Sequence, residues 1–190
     1  MRLGIKGKQV LGVTSIVGTI VVVLSLLHLS RLARVSLDES RQRAQLLANA
    51  IYHRARAVAS GGDLAKALRD DPGLRSILES SLYDANVTYA AIVDTSGHVI
   101  AQSIEEQTLP PADDLPTLLS KSAQAQLAAI YSGQGRTLEV RQPLLLGDTE
   151  FGSIRIGVST LLIRQNLNDA LRPATATALA VSGTNPRAAE

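Results

Sequence analysis

The sequence predicts an α+β chain in which one membrane-spanning helix carries a single small domain built on an antiparallel sheet. Three observations lead to this fold class. An uncharged apolar run lies near the N-terminus, a long stretch without Pro or Gly follows it, and two later segments alternate apolar and polar residues around short turns. At 190 residues, the chain has room for one ordinary domain and an anchor.

The predicted anchor is the run of 22 residues between Lys8 and Arg31, none of which is charged. As a helix it is about 33 Å long, which matches the hydrocarbon core of a bilayer. His28-Leu29-Ser30 follows, not the small-residue cleavage site of a secretory signal, so we expect an uncleaved span over residues 9–29. The cations of residues 1–8 favour a cytoplasmic N-terminus and an extracytoplasmic domain.

Two features near the span bear on partners. Thr14 and Gly18 place small residues one helical turn apart, which favours close packing of two copies and predicts a homodimer. Six arginines follow within residues 31–56, either as a solvated helix face or as a surface attracted to anionic lipid. The formal net charge of only +2 and the 3% aromatic content argue against a nucleic-acid partner.

The first half of the domain is expected to be helical and then to form a hairpin. From Ser30 to about Ser60 the residues Leu46, Leu47, Ala50, Ile51 and Val58 recur at helical spacing until Gly61-Gly62. The elements predicted next are helices over 63–71 and 72–84, and strands over 87–93 and 98–103 around the turn Asp94-Thr95-Ser96-Gly97.

The second half repeats the hairpin after an interruption. Residues 109–116 contain three prolines and are expected to be irregular, and residues 117–131 are expected to form a helix. Strands are predicted over 137–146 and 151–159, with Ile154, Ile156 and Val158 on one side and Ser153, Arg155 and Gly157 on the other. A last helix over 161–171 ends before Pro173.

The two hairpins carry a family resemblance. The sequences IVDTSGHVIA, starting at Ile92, and PLLLGDTEFGSIRIGVS, starting at Pro143, follow a single anchor in this order. Residues 31–171 thereby resemble the single Cache domain, the PAS-like extracytoplasmic sensor of bacterial two-component histidine kinases. The resemblance implies a five-stranded antiparallel sheet with a long helix on one face. It also implies a ligand cavity on the other face, covered by the irregular middle segment.

The resemblance also indicates where a ligand would bind. Citrate and dicarboxylate sensors of this family hold their ligands with cationic side chains at positions that look like Val99, Gln102 and Glu139 here, so a di- or tricarboxylate is disfavoured. The candidate ligand-binding residues are Arg141, Tyr89, Gln102 and Glu139. For Arg141 two roles stay open, pairing with Glu139 or contact with a ligand carboxylate, and Tyr89 is either a pocket residue or a core residue.

Catalytic chemistry is not expected. The three His are scattered over the anchor, the long helix and a turn, so neither a metal cluster nor a nucleophile–base pair is predicted, and no cofactor is expected. The absence of Cys is compatible with an oxidising compartment. We therefore expect a binding protein rather than an enzyme, with a small organic ligand of unknown identity.

The predicted organisation is a cytoplasmic segment (1–8), a membrane helix (9–29), a sensor domain (30–172) and a tail (173–190). The tail has only 12 uncharged residues between Pro173 and Pro186, about 18 Å as a helix, and is expected to be the truncated start of a second membrane segment. The functional hypothesis is the sensing part of a bacterial inner-membrane receptor whose kinase or cyclase output is missing. The alternative is an anchored envelope scaffold without a small-molecule ligand.

Overall fold

The structure is a computed structural model that describes residues 5–59, 63–84, 86–104, 108–146 and 149–170. The tail predicted at residues 173–190 and the helix-stopping pair Gly61-Gly62 lie outside these ranges. The described elements are α1 (Ile5–Val58), α2 (Leu64–Asp70), α3 (Pro72–Ser80), a 3₁₀ turn (Ser81–Tyr83), β1 (Val87–Asp94), β2 (Val99–Gln102), β3 (Ala112–Asp114), α4 (Leu115–Ser120), α5 (Ala123–Tyr131), β4 (Thr137–Leu146), β5 (Thr149–Ser159) and α6 (residues 160–170).

Helix α1 is continuous for 54 residues, about 80 Å, and carries the apolar run directly into the sheet domain. Its apolar part is exposed, with Ile16, Val21 and Leu27 keeping 62%, 56% and 62% of their surface accessible. Within the described residues, α1 is the one helix long and apolar enough to cross a membrane. A helix of this kind near an N-terminus is either a single membrane span or a signal sequence.

The second half of α1 packs against the domain through one narrow stripe. The completely buried side chains of that stripe are Ala33, Leu37, Ala44, Ala48, Ile51 and Ala55. Four of the six are alanines, so the helix backbone comes close to the sheet. Leu46, which was predicted to lie in the buried stripe, is instead 70% exposed. It is two residues from both Ala44 and Ala48, and a step of two residues along a helix turns the side chain to the opposite side.

The sheet is mixed, which corrects the prediction of a purely antiparallel one. Its strand order is β2-β1-β5-β4-β3, and β1–β2, β1–β5 and β4–β5 pair antiparallel. Strand β3 pairs parallel with β4. It lies within the segment predicted to be irregular. Pro110 and Pro111 precede it and Pro116 sits in the first turn of α4, so none of the three prolines removes a ladder hydrogen bond.

The helix predicted over residues 117–131 is divided into α4 and α5. Ser122 accepts a hydrogen bond from the Ala125 amide at 3.4 Å and caps α5, so the chain turns there instead of continuing. The buried side chain of Gln126 donates to the carbonyls of Leu119 and Lys121, both at 3.0 Å. A glutamine on α5 thus holds the end of α4.

Both predicted hairpins are present, and their strands divide into two faces. Gly97 has a φ of +91° in the first turn, as that turn requires. The packed face, which belongs to the core that includes α1, consists of Ala90, Ile92, Leu138, Val140, Leu144, Ile154, Ile156 and Val158. The opposite, polar face carries Tyr89, Gln102, Glu139, Arg141 and Arg155.

Candidate ligand-binding site

The four candidate residues predicted from the sequence lie on the polar face. Strand register places Tyr89 opposite Gly157, and Gly157 opposite Glu139, so these three form one row across β1, β5 and β4. In the adjacent row, Gln102 lies opposite Ala91, and Arg155 lies between Ala91 and Arg141. Residues directly opposite in paired strands share a face, so residues distant in sequence become neighbours.

Gly157 lets Tyr89 reach across a whole strand. A Cβ at Gly157 would lie 2.2 Å from Cε1 of Tyr89, so the aromatic ring occupies the space where a side chain on β5 would stand. The Tyr89 hydroxyl can therefore donate a hydrogen bond of 2.5 Å to Oε2 of Glu139, one strand further. The sequence prediction missed this role of Gly157, although the alternation of Ser153, Arg155 and Gly157 was the available signal.

Glu139 is a buried carboxylate with a partner on each oxygen. Its side chain is only 3% exposed, Tyr89 binds Oε2, and Nε of Arg141 donates to Oε1. Arg141 keeps 55% of its side chain exposed. Burial, followed by the hydrogen bond to Glu139, raises the pKa of Tyr89 well above its usual value of 10.0, so the phenol stays protonated. The pairing of Glu139 with Arg141, one of two predicted alternatives, is thus observed.

Arg155 is a polar-face cation that the sequence prediction did not include among the site residues. It lies directly opposite Arg141 in the β4–β5 pairing, and its Nε donates to Oγ of Ser153 at 3.4 Å. Glu139 and Asp114 lie opposite each other in the β3–β4 pairing, and both raise the pKa of Arg141. Two carboxylates therefore balance the two guanidinium groups of this region.

A pocket of 210 Å³ opens on the polar face beside Tyr89. We call it the Tyr89 pocket. Tyr89 and Gln102 are among its lining residues, whereas Glu139 and Arg141 are not, although Glu139 accepts a hydrogen bond from the Tyr89 hydroxyl. The middle segment covers it. The residues that line the pocket are Thr88, Tyr89, Gln102, Ile104, Thr108, Leu109, Pro110 and Thr137.

A β-bulge places Thr88 in an unusual environment. The β1–β5 register shifts between Val87 and Tyr89, so Thr88 has no residue directly opposite it on β5. Its Oγ1 is buried and has no hydrogen-bond partner among the described residues. Bulges commonly re-aim a side chain beside a functional site. Thr88 is therefore a pocket-lining residue whose hydroxyl has no hydrogen-bond partner among the described residues.

Asn86, two residues before Thr88, joins the pocket region to helices α1 and α6. It has a φ of +74°, a conformation that asparagine tolerates better than most residues. Its Nδ2 donates to Oγ of Ser40 on α1 at 3.2 Å, and its Oδ1 accepts from Nδ2 of Asn166 on α6 at 2.9 Å. Its carbonyl accepts from the Ser159 amide at 2.9 Å. One residue therefore contacts α1, α6 and the end of β5.

A wider groove of 430 Å³ lies at the sheet edge, between α2, α3 and β2. Arg69, Arg75 and Glu79 line it together with the length of β2. Nε of Arg69 donates to the carbonyl of Ile100 at 3.4 Å, so an arginine covers a backbone group of the edge strand. Charged side chains of this kind protect a sheet edge from pairing with other chains. We therefore interpret the groove as a protected edge.

The described residues contain no group of three or more His, Asp or Glu side chains placed to hold a metal ion. The expectation that the protein is not an enzyme stays a prediction. Comparison of the chain with protein-family models and with curated protein sequences gave no match. The resemblance to Cache domains therefore remains a prediction, and the case for function depends on the geometry of the polar face.

Proposed function

We propose that the protein is the extracytoplasmic small-molecule-sensing module of a single-pass membrane receptor of bacteria, with a Cache-like domain. The observation that carries this proposal is the position of the Tyr89 pocket, because its lining residue Thr88 lies two residues after Asn86, whose side chain joins α1 to α6. A pocket alone would support binding. A pocket next to a link between α1 and α6 supports the proposal that binding is transmitted.

The path from the pocket to the membrane is short and made of described contacts. Thr88 and Tyr89 line the pocket, and Asn86 on the same segment bonds Ser40 of α1. Movement of the bulge on ligand binding would shift Asn86, and with it the two helices that it joins. Because α1 is one unbroken helix from the apolar run to the sheet, a small slide or rotation at Ser40 is carried to the bilayer.

The continuity of α1 also supports an uncleaved anchor over a removable signal. Its buried stripe starts at Ala33, only a few residues after the apolar run, so the same helix serves the span and the domain core. The cations before the span favour a cytoplasmic N-terminus and support an extracytoplasmic position for the sheet domain at the bacterial inner membrane. The long helix on one face and the covered pocket on the other are the arrangement that the family resemblance implies.

The experiment is a thermal-shift screen of the full chain in detergent micelles against metabolite classes, followed by distance measurements. The chain has no Cys, so Leu46→Cys on α1 and Thr95→Cys in the first hairpin turn provide two unique spin-label sites. Both side chains are exposed. We expect a stabilising compound to change the distance distribution between the labels.

Asn86→Gly is the matched variant for the coupling, since glycine accepts the positive φ but lacks the amide side chain. In this variant the ligand-induced distance change should be smaller for a similar thermal stabilisation. If no metabolite class stabilises the chain, the sensing hypothesis is wrong and the anchored scaffold is favoured. Stabilisation with an unchanged distance distribution would argue for binding without transmission to α1.

A further inference from the structure

We propose that the Tyr89 pocket takes an uncharged, hydrogen-bonding small molecule rather than an organic anion. This inference depends on the proposed sensing function and narrows its ligand class. It goes against the simplest expectation for a domain of this kind, whose usual ligands include small organic acids. Three observations on the polar face carry it.

The first observation is the chemistry of the pocket lining. None of the eight described residues that line the pocket carries a charge. Five offer hydroxyl or amide groups, and the other three are apolar side chains from the covering segment. An organic anion entering this space would lose its hydration without gaining a cationic partner from the lining, which is strongly unfavourable. A neutral ligand with hydroxyl or amide groups can exchange its water contacts for these side chains.

The second observation is that the neighbouring cations already have partners. Arg141 is held by the buried carboxylate of Glu139, with Asp114 close enough to add to the attraction. Arg155 lies opposite Arg141 and donates to Ser153. Glu139 itself lies behind the Tyr89 hydroxyl and would repel an incoming carboxylate. The net charge of these four ionisable groups is zero, so the region has no excess positive charge to attract an anion.

The third observation concerns two hydrogen-bonding atoms of the lining residues Thr88 and Tyr89, of which the Thr88 hydroxyl has no partner among the described residues. Oγ1 of Thr88 is buried without a partner among the described residues, although a buried hydroxyl normally has one. The Tyr89 hydroxyl donates a hydrogen bond to Glu139, so its oxygen can still accept one from a ligand. A ligand that donates to the Tyr89 oxygen, and that reaches Oγ1 of Thr88 as the bulge moves, satisfies both. The volume of 210 Å³ equals that of about seven water molecules and fits a molecule the size of a pentose or a small amide.

The test uses two probe pairs that differ mainly in charge: pentanamide and pentanoate, and nicotinamide and nicotinate. Each is titrated against the full chain in detergent micelles, and the shift in melting temperature is recorded. We expect at least one neutral probe to raise the melting temperature in a saturable manner, with its anionic partner at least tenfold weaker.

Thr88→Val locates the binding to the pocket, because valine keeps the shape of threonine and removes Oγ1. The variant without probe should be at least as stable as the native chain, and the shift caused by the neutral probe should fall at least threefold. Thr149→Val, at an exposed position on β5, is the matched control and should leave the probe response unchanged.

The outcomes separate the ligand class from the function. If an anionic probe stabilises the chain more than its neutral partner, this inference is wrong while sensing survives. A neutral-probe response that is the same in the Thr88→Val variant also overturns it, since the site then lies elsewhere. If neither member of any pair stabilises the chain, and no compound in the wider metabolite screen does so, both the proposed function and this inference are wrong.

Discussion

Alternate residues of the same strands form the two faces of the sheet, and the chemistry of the two faces differs. On the packed face, Ile92, Ile154 and Ile156 are completely buried among other aliphatic side chains. On the polar face, Glu139 is almost as deeply buried, but each of its oxygens is bound by a polar partner. The packed face therefore gains its stability from buried apolar area, whereas the polar face combines a small apolar cluster around Tyr89 with polar pairing.

This difference explains why the faces should respond differently to substitution. Aliphatic packing is non-directional, and its energy scales with the volume that is lost. A buried polar pair is directional, so moving one partner by an ångström leaves the other without its hydrogen bond. We therefore expect function on the polar face, where the positions of individual polar atoms matter more than the volume that is filled.

The largest expected effect is on the packed face. Ile156→Ala removes three carbon atoms from a fully buried position on the central strand and should lower the free energy of unfolding by about 3 kcal/mol. Ser153→Ala, on the polar face of the same strand, should change it by less than about 0.5 kcal/mol. Denaturant unfolding of the full chain in micelles, followed by circular dichroism, measures both. Equal effects would contradict the assignment of the two faces.

A smaller effect is expected from a clash on the polar face. Gly157→Ala places a methyl group where the Tyr89 ring lies and should lower stability by about 2 kcal/mol, mostly by breaking the bond from Tyr89 to Glu139. Gly133→Ala is the control, because a Cβ there meets nothing within 4 Å. Adding Tyr89→Phe to Gly157→Ala should then cost little more, and full additivity of the two substitutions would refute the shared mechanism.

Tyr89→Phe should have the smallest effect of the three near neutral pH, about 1.5 kcal/mol, together with a change in pH dependence. The pKa of Tyr89 is raised in the folded state, so its contribution is fully present below the unfolded value of 10.0 and is lost as the pH rises above it. Removing the phenol should flatten the fall in stability above pH 10. Tyr83→Phe, at a side chain 92% exposed, should leave that fall unchanged.

Much of the architecture could be predicted from the sequence because its signals are local. The uncharged run, the helix that continues it and both hairpins follow from periodicity and turn residues within a few positions of each other. The turn at Gly97 is present with the required positive φ. Of the four predicted site residues, Tyr89 and Gln102 line one pocket, and their role in ligand binding stays a prediction.

The wrong predictions concern segments whose structure is set by strand pairing, capping or packing contacts rather than by hydrophobic spacing. Three prolines made residues 109–116 look irregular, yet β4 provides the backbone partners that make a strand of Ala112–Asp114. Ser122 and Gln126 divide a helix that helical spacing alone would continue. Leu46 was predicted in the buried stripe, but the stripe that packs against the domain lies on the opposite side of α1 and consists mostly of alanines.

By itself, the sequence determined where most of the helices and strands lie, that one helix suits a membrane, and which residue types face alternate sides of each strand. Only the tertiary structure decided that Tyr89 crosses Gly157 to reach Glu139, that Thr88 sits at a bulge without a partner, and that Asn86 joins α1 to α6. Periodicity is a property of neighbours along the chain. The contacts from Asn86 to Ser40 and from Tyr89 to Glu139 join residues 46 and 50 positions apart, which no local pattern specifies.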